Sequence, residues 1–462
     1  MSLEATDQGA ADAPALDADY ALNPAFVQSV LAALDEGRNK RVRKLISTLH
    51  VADQADLIGL IRADERRRLI QALGEVFDPE CLSELEEDVR DEVLEILNTR
   101  QLAAAVTELP SDDAIYLLED LDEDKQRIIL DQIPDQDRAA LEVGLRYGDE
   151  TAGRLMQREV ITVPSYWTIG QTIDYLRSNQ TIPTQFFEIF VTDPLFHAVG
   201  TLPLSRILTS TRKEVISEVM DPAPRLISAE LDKEEVAYLF NQYHLISAPV
   251  VDADDRIVGV ITVDDVVDVI REETGEDMLA LAGVGLEGLS DSVFKTTRRR
   301  FSWLFVNLLT AIAASIVIAF FDGTIQEKVA LAVLMPIVAS MGGNAGTQTL
   351  TVAVRALATR DLTATNAARI VFREVLVGGL NGLLFAALLG SAAALYYEPV
   401  IGLVLALAMI VNLLAAGLAG ILVPITLDRM GADPALASTV LVTTVTDIVG
   451  FFVFLGLATI VL

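Results

Sequence analysis

Residues 49–145 carry an apolar residue at every twelfth position. The positions are Leu49, Ile61, Leu73, Leu85, Leu97, Leu109, Leu121, Ile133 and Leu145. Several repeats open with Ser, Asp or Pro, as in Ser111-Asp-Asp113, and these residues favour the start of a helix. Helices of about eight residues, stacked in pairs with a period of about 24, form a solenoid. The pattern therefore predicts an acidic α-helical solenoid over residues 22–150, after a disordered tail at residues 1–21.

Residues 151–272 change to short β-branched runs that alternate with amphipathic helices. The clearest unit has a helix at Lys233–Tyr243, a strand at 246–252, a turn at 253–255 and a second strand followed by a helix at 256–268. This order of elements predicts one β-α-β-β-α unit.

That unit, residues 213–272, resembles a CBS domain. The likeness rests on Met220-Asp-Pro222 and on Gly259-x-x-Thr262-x-x-Asp265. It implies an adenine-nucleotide site, for ATP, with Thr262 and Asp265 as ligands. Residues 151–212 look like a degenerate first copy, because the corresponding segment, Gly200–Arg206, lacks the acid. A tandem CBS pair commonly regulates another part of a protein.

Five apolar runs follow residue 300. Their predicted bounds are about 301–321, 329–354, 370–397, 399–427 and 436–461. Each is about 20 residues or more and nearly uncharged, which is long enough to cross a lipid bilayer. Residues 273–300 are predicted to form one helix that connects the soluble half to this membrane domain, residues 301–462. The fold class is thus a multidomain membrane protein with an all-α solenoid, an α/β CBS pair, a connecting helix and five α-helical spans.

Charge gives the two halves different properties. The net charge is −31, yet residues 301–462 contain eight acidic and six basic residues, so nearly all of the negative charge lies in residues 1–300. Such a surface repels nucleic acid. Arginines flank alternate ends of the spans, as at Arg298–Arg300, Arg355 and Arg429, which places the soluble half in the cytosol and the C-terminus outside. A single cysteine, Cys81, fits a cytosolic location.

Asp447 lies inside the last apolar run. At about 1.5 Å per residue it is near the middle of a hydrocarbon core about 30 Å thick. An ionised Asp there costs about 2.5–3.5 kcal/mol on insertion scales, so it usually faces water or a partner. We interpret it as part of a cation path; an Asp that pairs with a neighbouring helix or stays protonated is the alternative.

The second run contains Met341–Thr349, with three glycines and several hydrogen-bonding side chains. Polar and small residues at this depth either line a cavity or allow tight helix packing, and the sequence leaves both interpretations open.

Taken together, the order of parts resembles the MgtE-type magnesium channels, over nearly the whole chain. Four segments carry the resemblance most specifically: Gly342–Gly346, Arg355–Asp361, Asp433–Leu436 and Thr446–Gly450. The resemblance implies Mg²⁺ as both transported ion and regulator, and a location in the bacterial inner membrane.

The resemblance also implies site residues. It assigns the pore site to Asp447, with Gly343 and Asn344 in a Gly-Gly-Asn turn of the second span. Thr439 and Thr443 complete the predicted pore set, and Thr439 departs from the Asn-Pro that the family has at this point.

In the soluble half the resemblance implies regulatory Mg²⁺ binding that closes the pore. The matching carboxylates are Asp112, Asp265, Glu276 and Asp277.

A single acid near the middle of the five spans forms only a thin wall for an ion path, so we expect a homodimer with the path on its axis. A broader divalent transporter, for Co²⁺, and a membrane-anchored nucleotide sensor without transport are the alternatives. The sequence contains no nucleophile–base pair, Walker loop or His-rich site, so no enzyme activity is predicted.

Overall fold

The chain is mostly helical, and the computed structural model describes residues 14–179, 182–183, 186–284 and 293–462. It divides into two compact units, Met1–Ile270 and Arg271–Leu462.

Short helices fill the repeat region. Their bounds are α1 Pro24–Asp35, α2 Asn39–Ile46, α3 Val51–Leu60, α4 Ala63–Leu73, α5 Glu87–Ile96, α6 Thr99–Glu108, α7 Ser111–Glu119, α8 Glu123–Leu130 and α9 Asp135–Gly144. From α5 to α9 each helix begins twelve residues after the previous one, as the repeat predicts. All nine repeated apolar residues belong to one core, with Leu145 only partly buried. Because α6 contacts both α7 and α8, and α7 contacts α9, successive helices stack in the expected pairs.

The start of the chain differs from the expected tail. Residues 1–13 lie outside the described part, but residues 14–21 form a turn. In it Asp17 Oδ1 accepts hydrogen bonds from the N–H groups of Asp19 and Ala21 at 2.9 and 3.0 Å, and Leu16 pairs with Leu22. An Asx-type turn of this kind satisfies the backbone locally.

Two α/β units follow the repeat region. The first comprises α10 Ala152–Leu155, β1 Thr162–Pro164, α11 Ile169–Ser178, β2 Glu188–Thr192, β3 Ala198–Pro203 and α12 Leu204–Thr209. The second comprises α13 Ile216–Val219, β4 Asp221–Pro222, β5 Ile227–Ser228, α14 Lys233–Tyr243, β6 Ser247–Val251, β7 Ile257–Thr262 and α15 Val263–Leu281. In each unit a parallel pair of strands, β1/β2 or β5/β6, is followed by an antiparallel hairpin, β2/β3 or β6/β7. The predicted β-α-β-β-α order is confirmed in both copies.

The two copies exchange their first residues. Strand β4, near the start of the second copy, pairs with β3 of the first sheet, and Gln157, near the start of the first copy, pairs with Val260 of the second sheet. The sulfur atoms of Met220 and Met156 lie over Gly200 and Gly259, where a Cβ would approach them to 2.6 Å. These contacts join the copies into one pair.

The membrane half is a helical bundle. Its helices are α16 Val293–Ala319, α17 Asp322–Glu327, α18 Ala330–Ala358, α19 Ala367–Tyr396, α20 Pro399–Arg429 and α21 Pro434–Val461. Of the described helices, five are long and apolar enough to cross a membrane, and they correspond to the five predicted runs. Helix α20 is central, because it packs against α18, α19 and α21.

The single connecting helix predicted for residues 273–300 is wrong at its middle. Helix α15 ends at Leu281, and residues 285–292 of the prediction lie outside the described part. Gly283 has φ +70°. The N–H groups of Gly283 and Val284 bond back to the carbonyls of Ala280 and Leu279 at 2.9 Å. A glycine in the left-handed region with these two bonds is a Schellman cap, which ends a helix.

Candidate metal sites

Thr439, Thr443 and Asp447 lie four residues apart on α21 and therefore share one face of that helix. Asp447 is half-buried, and no described side chain bonds to its carboxylate. The Thr443 hydroxyl donates to its own helix, to the carbonyl of Thr439 at 2.9 Å. This face thus presents one carboxylate whose oxygens are available to a ligand.

Helix α18 brings Gly343 to the same face. A Cβ at Gly343 would lie 3.9 Å from Thr443 Cγ2, an ordinary contact distance. Asn344 is exposed, and its Nδ2 donates to Ser340 Oγ at 3.4 Å. The structure therefore brings Gly343 close to Thr443, one helical turn before Asp447. Asn344, the residue after Gly343, is exposed.

The Gly-Gly-Asn turn expected in the second span is not a turn. Helix α18 continues through it without a break. The flanking glycines serve packing instead: a Cβ at Gly346 would lie 2.5 Å from Val442 Cγ1, and a Cβ at Gly420 would lie 2.6 Å from the Gly346 carbonyl oxygen. Of the two interpretations left open by the sequence, tight helix packing is found at Gly342 and Gly346, and cavity lining at Gly343 stays a prediction.

Thr439 has a role that the sequence did not suggest. Its hydroxyl donates to the carbonyl of Leu281, the last residue of α15, at 2.8 Å. The last carbonyls of a helix lack partners within the helix, and a hydroxyl from a neighbour satisfies one of them. Ala280 and Leu281 also pack against a buried cluster that includes Val442 of α21. The end of α15 is thus attached directly to the helix that carries Asp447.

Asp277, one turn before the end of α15, lies near a second carboxylate. Burial raises its pKa, and the charges of Asp433 and Glu273 raise it further. Asp433 caps α21, because its Oδ1 accepts the N–H of Ala435 at 2.7 Å. Glu276 precedes Asp277 on the same helix. The charge of Asp433 was not among the predicted regulatory groups, and its effect on Asp277 depends on tertiary packing.

In the soluble half, the fold places Asp112 and Asp265 near enough for their charges to interact. Burial, and then the charge of Asp265, raise the pKa of Asp112 well above its usual range. Burial raises the pKa of Asp265 to about 6. Gln157 Nε2 donates to Asp265 Oδ2 at 3.4 Å. Oδ1 of Asp112 is buried and accepts no hydrogen bond from any residue that the structure describes.

Asp113 is a further member of this cluster that sequence reasoning missed. Burial raises its pKa to about 7, and the charges of Asp265, Glu84 and Glu80 act in the same direction. The adjacent acids at the start of α7 look like ordinary first-turn residues, so only the fold reveals that both are buried.

The two CBS copies differ at the predicted nucleotide site. In the second copy, Thr262 Oγ1 donates to Asp265 Oδ2 at 2.8 Å. In the first copy the corresponding residue is Arg206, whose Nη1 lies 2.8 Å from Asp221 Oδ1 and donates to the Val219 carbonyl at 2.7 Å. The acid that would hold a ribose is thus replaced by a cation that is already paired.

Within the described residues, no three His, Cys, Asp or Glu side chains are arranged to enclose a metal ion. Mg²⁺ keeps several waters and binds through one or two carboxylates, so the smaller groups at Asp447, at Asp112 with Asp265, and at Asp277 suit its chemistry.

Comparison with known proteins adds three family matches. Residues 335–457 match a divalent cation transporter family, residues 49–150 match the MgtE intracellular N domain, and residues 216–272 match the CBS domain.

Two magnesium transporters are similar in sequence to almost the whole chain. The magnesium transporter MgtE of Thermus thermophilus is 30% identical over 449 residues, covering 94% of this chain and 98% of the relative. The magnesium transporter MgtE of Bacillus subtilis is 28% identical over 438 residues, covering 94% and 97%. A crystal structure of the cytosolic domain of the Mg²⁺ channel MgtE in complex with ATP is 28% identical. It covers 53% of this chain and 99% of that one, with a TM-score of 0.50.

Proposed function

The chain belongs to the MgtE family of magnesium transporters, and on that premise we propose that it is a homodimeric Mg²⁺ channel of the bacterial inner membrane. The observation that carries the proposal is Asp447: a half-buried carboxylate, on an apolar helix, without a partner among the described side chains. An intramembrane carboxylate without a partner indicates an ion path.

Asp447 binds the ion through water. Mg²⁺ gives up its hydration shell reluctantly, so the carboxylate contacts the water molecules of the hydrated ion rather than the bare ion. Gly343 has no side chain to narrow the path, and Thr443 and Asn344 offer polar atoms on the same side. In a homodimer the two Asp447 carboxylates face each other across the axis, and a bound divalent cation relieves their repulsion.

The arginines set the orientation. Arg355, Arg369 and Arg373 lie near the junction of α18 with α19, and Arg429 ends α20. Positive residues favour the cytosolic side, which puts the acidic soluble half in the cytosol and the end of α21 outside.

Binding of cytosolic Mg²⁺ to sites along α15 closes the ion path. Asp265 lies in the first turn of this helix, and Leu281 is its last residue. Mg²⁺ that bridges Asp112 and Asp265 fixes one end of α15. Mg²⁺ at Glu276 and Asp277, with Asp433, fixes the other end, where Thr439 bonds to Leu281. In this proposal an ion beside Asp277 biases the position of α21, because Leu281 of α15 is bonded to Thr439 of α21.

ATP is a second regulator in this proposal. Thr262 and Asp265 of the second copy hold the phosphate and the ribose, and the first copy binds no nucleotide because Arg206 and Asp221 are paired. Asp265 is then shared between the nucleotide and the metal site.

Ion flux into liposomes that contain the purified protein tests the function. We expect Mg²⁺ influx that falls as internal Mg²⁺ rises. Comparable Co²⁺ flux would favour the broader divalent transporter. A complete lack of flux for Mg²⁺, Co²⁺ and Ca²⁺ would favour the membrane-anchored sensor.

A further inference from the structure

Asn412 is a polar side chain buried at the centre of the membrane bundle. It lies on α20 and is 0% exposed. Its Nδ2 donates to the carbonyl of Val338 on α18 at 2.8 Å. Its Oδ1 is buried and accepts no hydrogen bond from any described residue. The proposed ion path does not use this residue, and an unsatisfied buried amide oxygen is costly enough to require a reason.

Two glycines leave the space that the amide occupies. A Cβ at Gly342 of α18 would collide with the Asn412 amide, and a Cβ at Gly450 of α21 would lie 2.8 Å from its Nδ2. The amide is therefore enclosed between α18 and α21. Its orientation follows from the same bond, because a carbonyl oxygen only accepts and Nδ2 is the one amide atom that donates.

These contacts are next to the predicted pore residues. Gly342 precedes Gly343, and Gly450 follows Asp447 by three residues, less than one helical turn. The Asn412 amide therefore lies between the segments of α18 and α21 that carry Gly343 and Asp447. The neighbours of Asn412 on α20 are apolar: Ala408, Met409 and Leu413 are all buried.

We propose that Asn412 is a positioning residue that sets the spacing of α18 and α21 at the level of Asp447 and thereby determines which divalent cation passes. The inference rests on the proposed function. The path contacts a hydrated ion through the ion's bound water molecules, so a small change in the width of the path alters how the hydrated ion fits. Mg²⁺ demands near-ideal octahedral geometry, whereas Ca²⁺ accepts flexible geometry and sheds water readily. A wider or misaligned path therefore loses preference for Mg²⁺ over Ca²⁺.

The test compares Mg²⁺ and Ca²⁺ flux in liposomes for full-length variants. Asn412→Leu has a similar size but no donor. Gly450→Ala keeps the amide and displaces it with a Cβ. Gly456→Ala is the matched control, because it makes the same substitution on the same helix and its Cβ would be 3.9 Å from the Phe321 ring. We expect the Mg²⁺/Ca²⁺ flux ratio to fall about tenfold to a hundredfold in the first two variants, the size of effect that a misplacement of about 1 Å produces. Gly456→Ala should keep the wild-type ratio.

The flux ratio separates a positioning role from a purely structural one. If both ions lose flux equally in Asn412→Leu and Gly450→Ala, or if the ratio is unchanged in both, Asn412 does not set specificity. If Asn412→Leu does not fold, Gly450→Ala decides alone. Absence of Mg²⁺ flux in the wild type would reject the proposed function itself, and flux in the wild type with an unaltered ratio in the variants would reject only this inference.

Discussion

Asp112, Asp113 and Asp265 show how burial changes the chemistry of carboxyl groups. Each is a carboxyl group in the first turn of a helix, where acids are common. In the fold they are buried together, and Glu80 and Glu84 add negative charge nearby. The same enclosure that raises their pKa values makes them good partners for a divalent cation.

This cluster predicts a dependence of stability on pH. In the unfolded chain an Asp has a pKa of about 3.9. In the folded chain the pKa values of Asp265 and Asp113 are raised to about 6 and about 7. The folded protein therefore binds more protons between about pH 4 and pH 7, and its free energy of unfolding falls as the pH rises through that window. Thermal unfolding of the full chain without Mg²⁺ measures this slope.

Variants identify the source of the slope. Asp113→Asn should flatten it, whereas Asp137→Asn, at an exposed acid of α9, should leave it unchanged. Equal slopes in wild type and Asp113→Asn would contradict the assignment.

At the scale of elements, the proposed regulation depends on the junction of α15 and α21. The Thr439 hydroxyl of α21 donates to the Leu281 carbonyl at the end of α15. Thr439→Val removes the donor with little change in volume, and we expect this variant to need more internal Mg²⁺ for closure than the wild type.

Thr444→Val is the control for that variant. The Thr444 hydroxyl donates only to its own helix, at the Val440 carbonyl. Closure should then occur at the wild-type Mg²⁺ concentration. If the two variants close at the same concentration, the junction does not transmit regulation.

Elements were more predictable than contacts. The twelve-residue spacing of Leu97, Leu109 and Leu121 predicts the helix starts because each repeat must bury one such side chain. Apolar length predicts the spans because bilayer thickness sets it. The break after Leu281 was missed, since Gly283 is one glycine in a polar stretch and its left-handed φ is visible only in the fold. Gly342 and Gly343 are adjacent glycines that the sequence alone does not tell apart. Only the packing of Gly342 against Asn412 distinguishes them.

At the scale of the whole molecule, nearly all of the net charge of −31 lies in residues 1–300, and the proposed regulation uses this charge to bind Mg²⁺. A shift from 1:99 to 99:1 between two states needs about 5.5 kcal/mol of differential binding, which several weakly bound ions supply together. Closure should therefore be steep in Mg²⁺. The double variant Glu276→Gln with Asp277→Asn should remain open at high internal Mg²⁺, as liposome flux would measure.

The same Mg²⁺ binding should stabilise the folded protein. Millimolar Mg²⁺ should raise the thermal unfolding midpoint of the full chain, because a ligand that binds only the folded state adds stability. NaCl at the same ionic strength should not reproduce the rise. If NaCl gives an equal rise, screening of the acidic surface explains it and specific Mg²⁺ sites do not.

Mg²⁺ flux through Asp447→Asn tests the central claim most directly. The substitution keeps the shape and removes the one partnerless carboxylate of α21, and Asp428→Asn removes an exposed carboxylate at the end of α20 as a matched control. We predict that Asp447→Asn lowers Mg²⁺ flux in liposomes at least about a hundredfold, the cost of losing about 2.7 kcal/mol of ion binding, while Asp428→Asn conducts like the wild type. Wild-type flux through a folded Asp447→Asn protein would contradict the account.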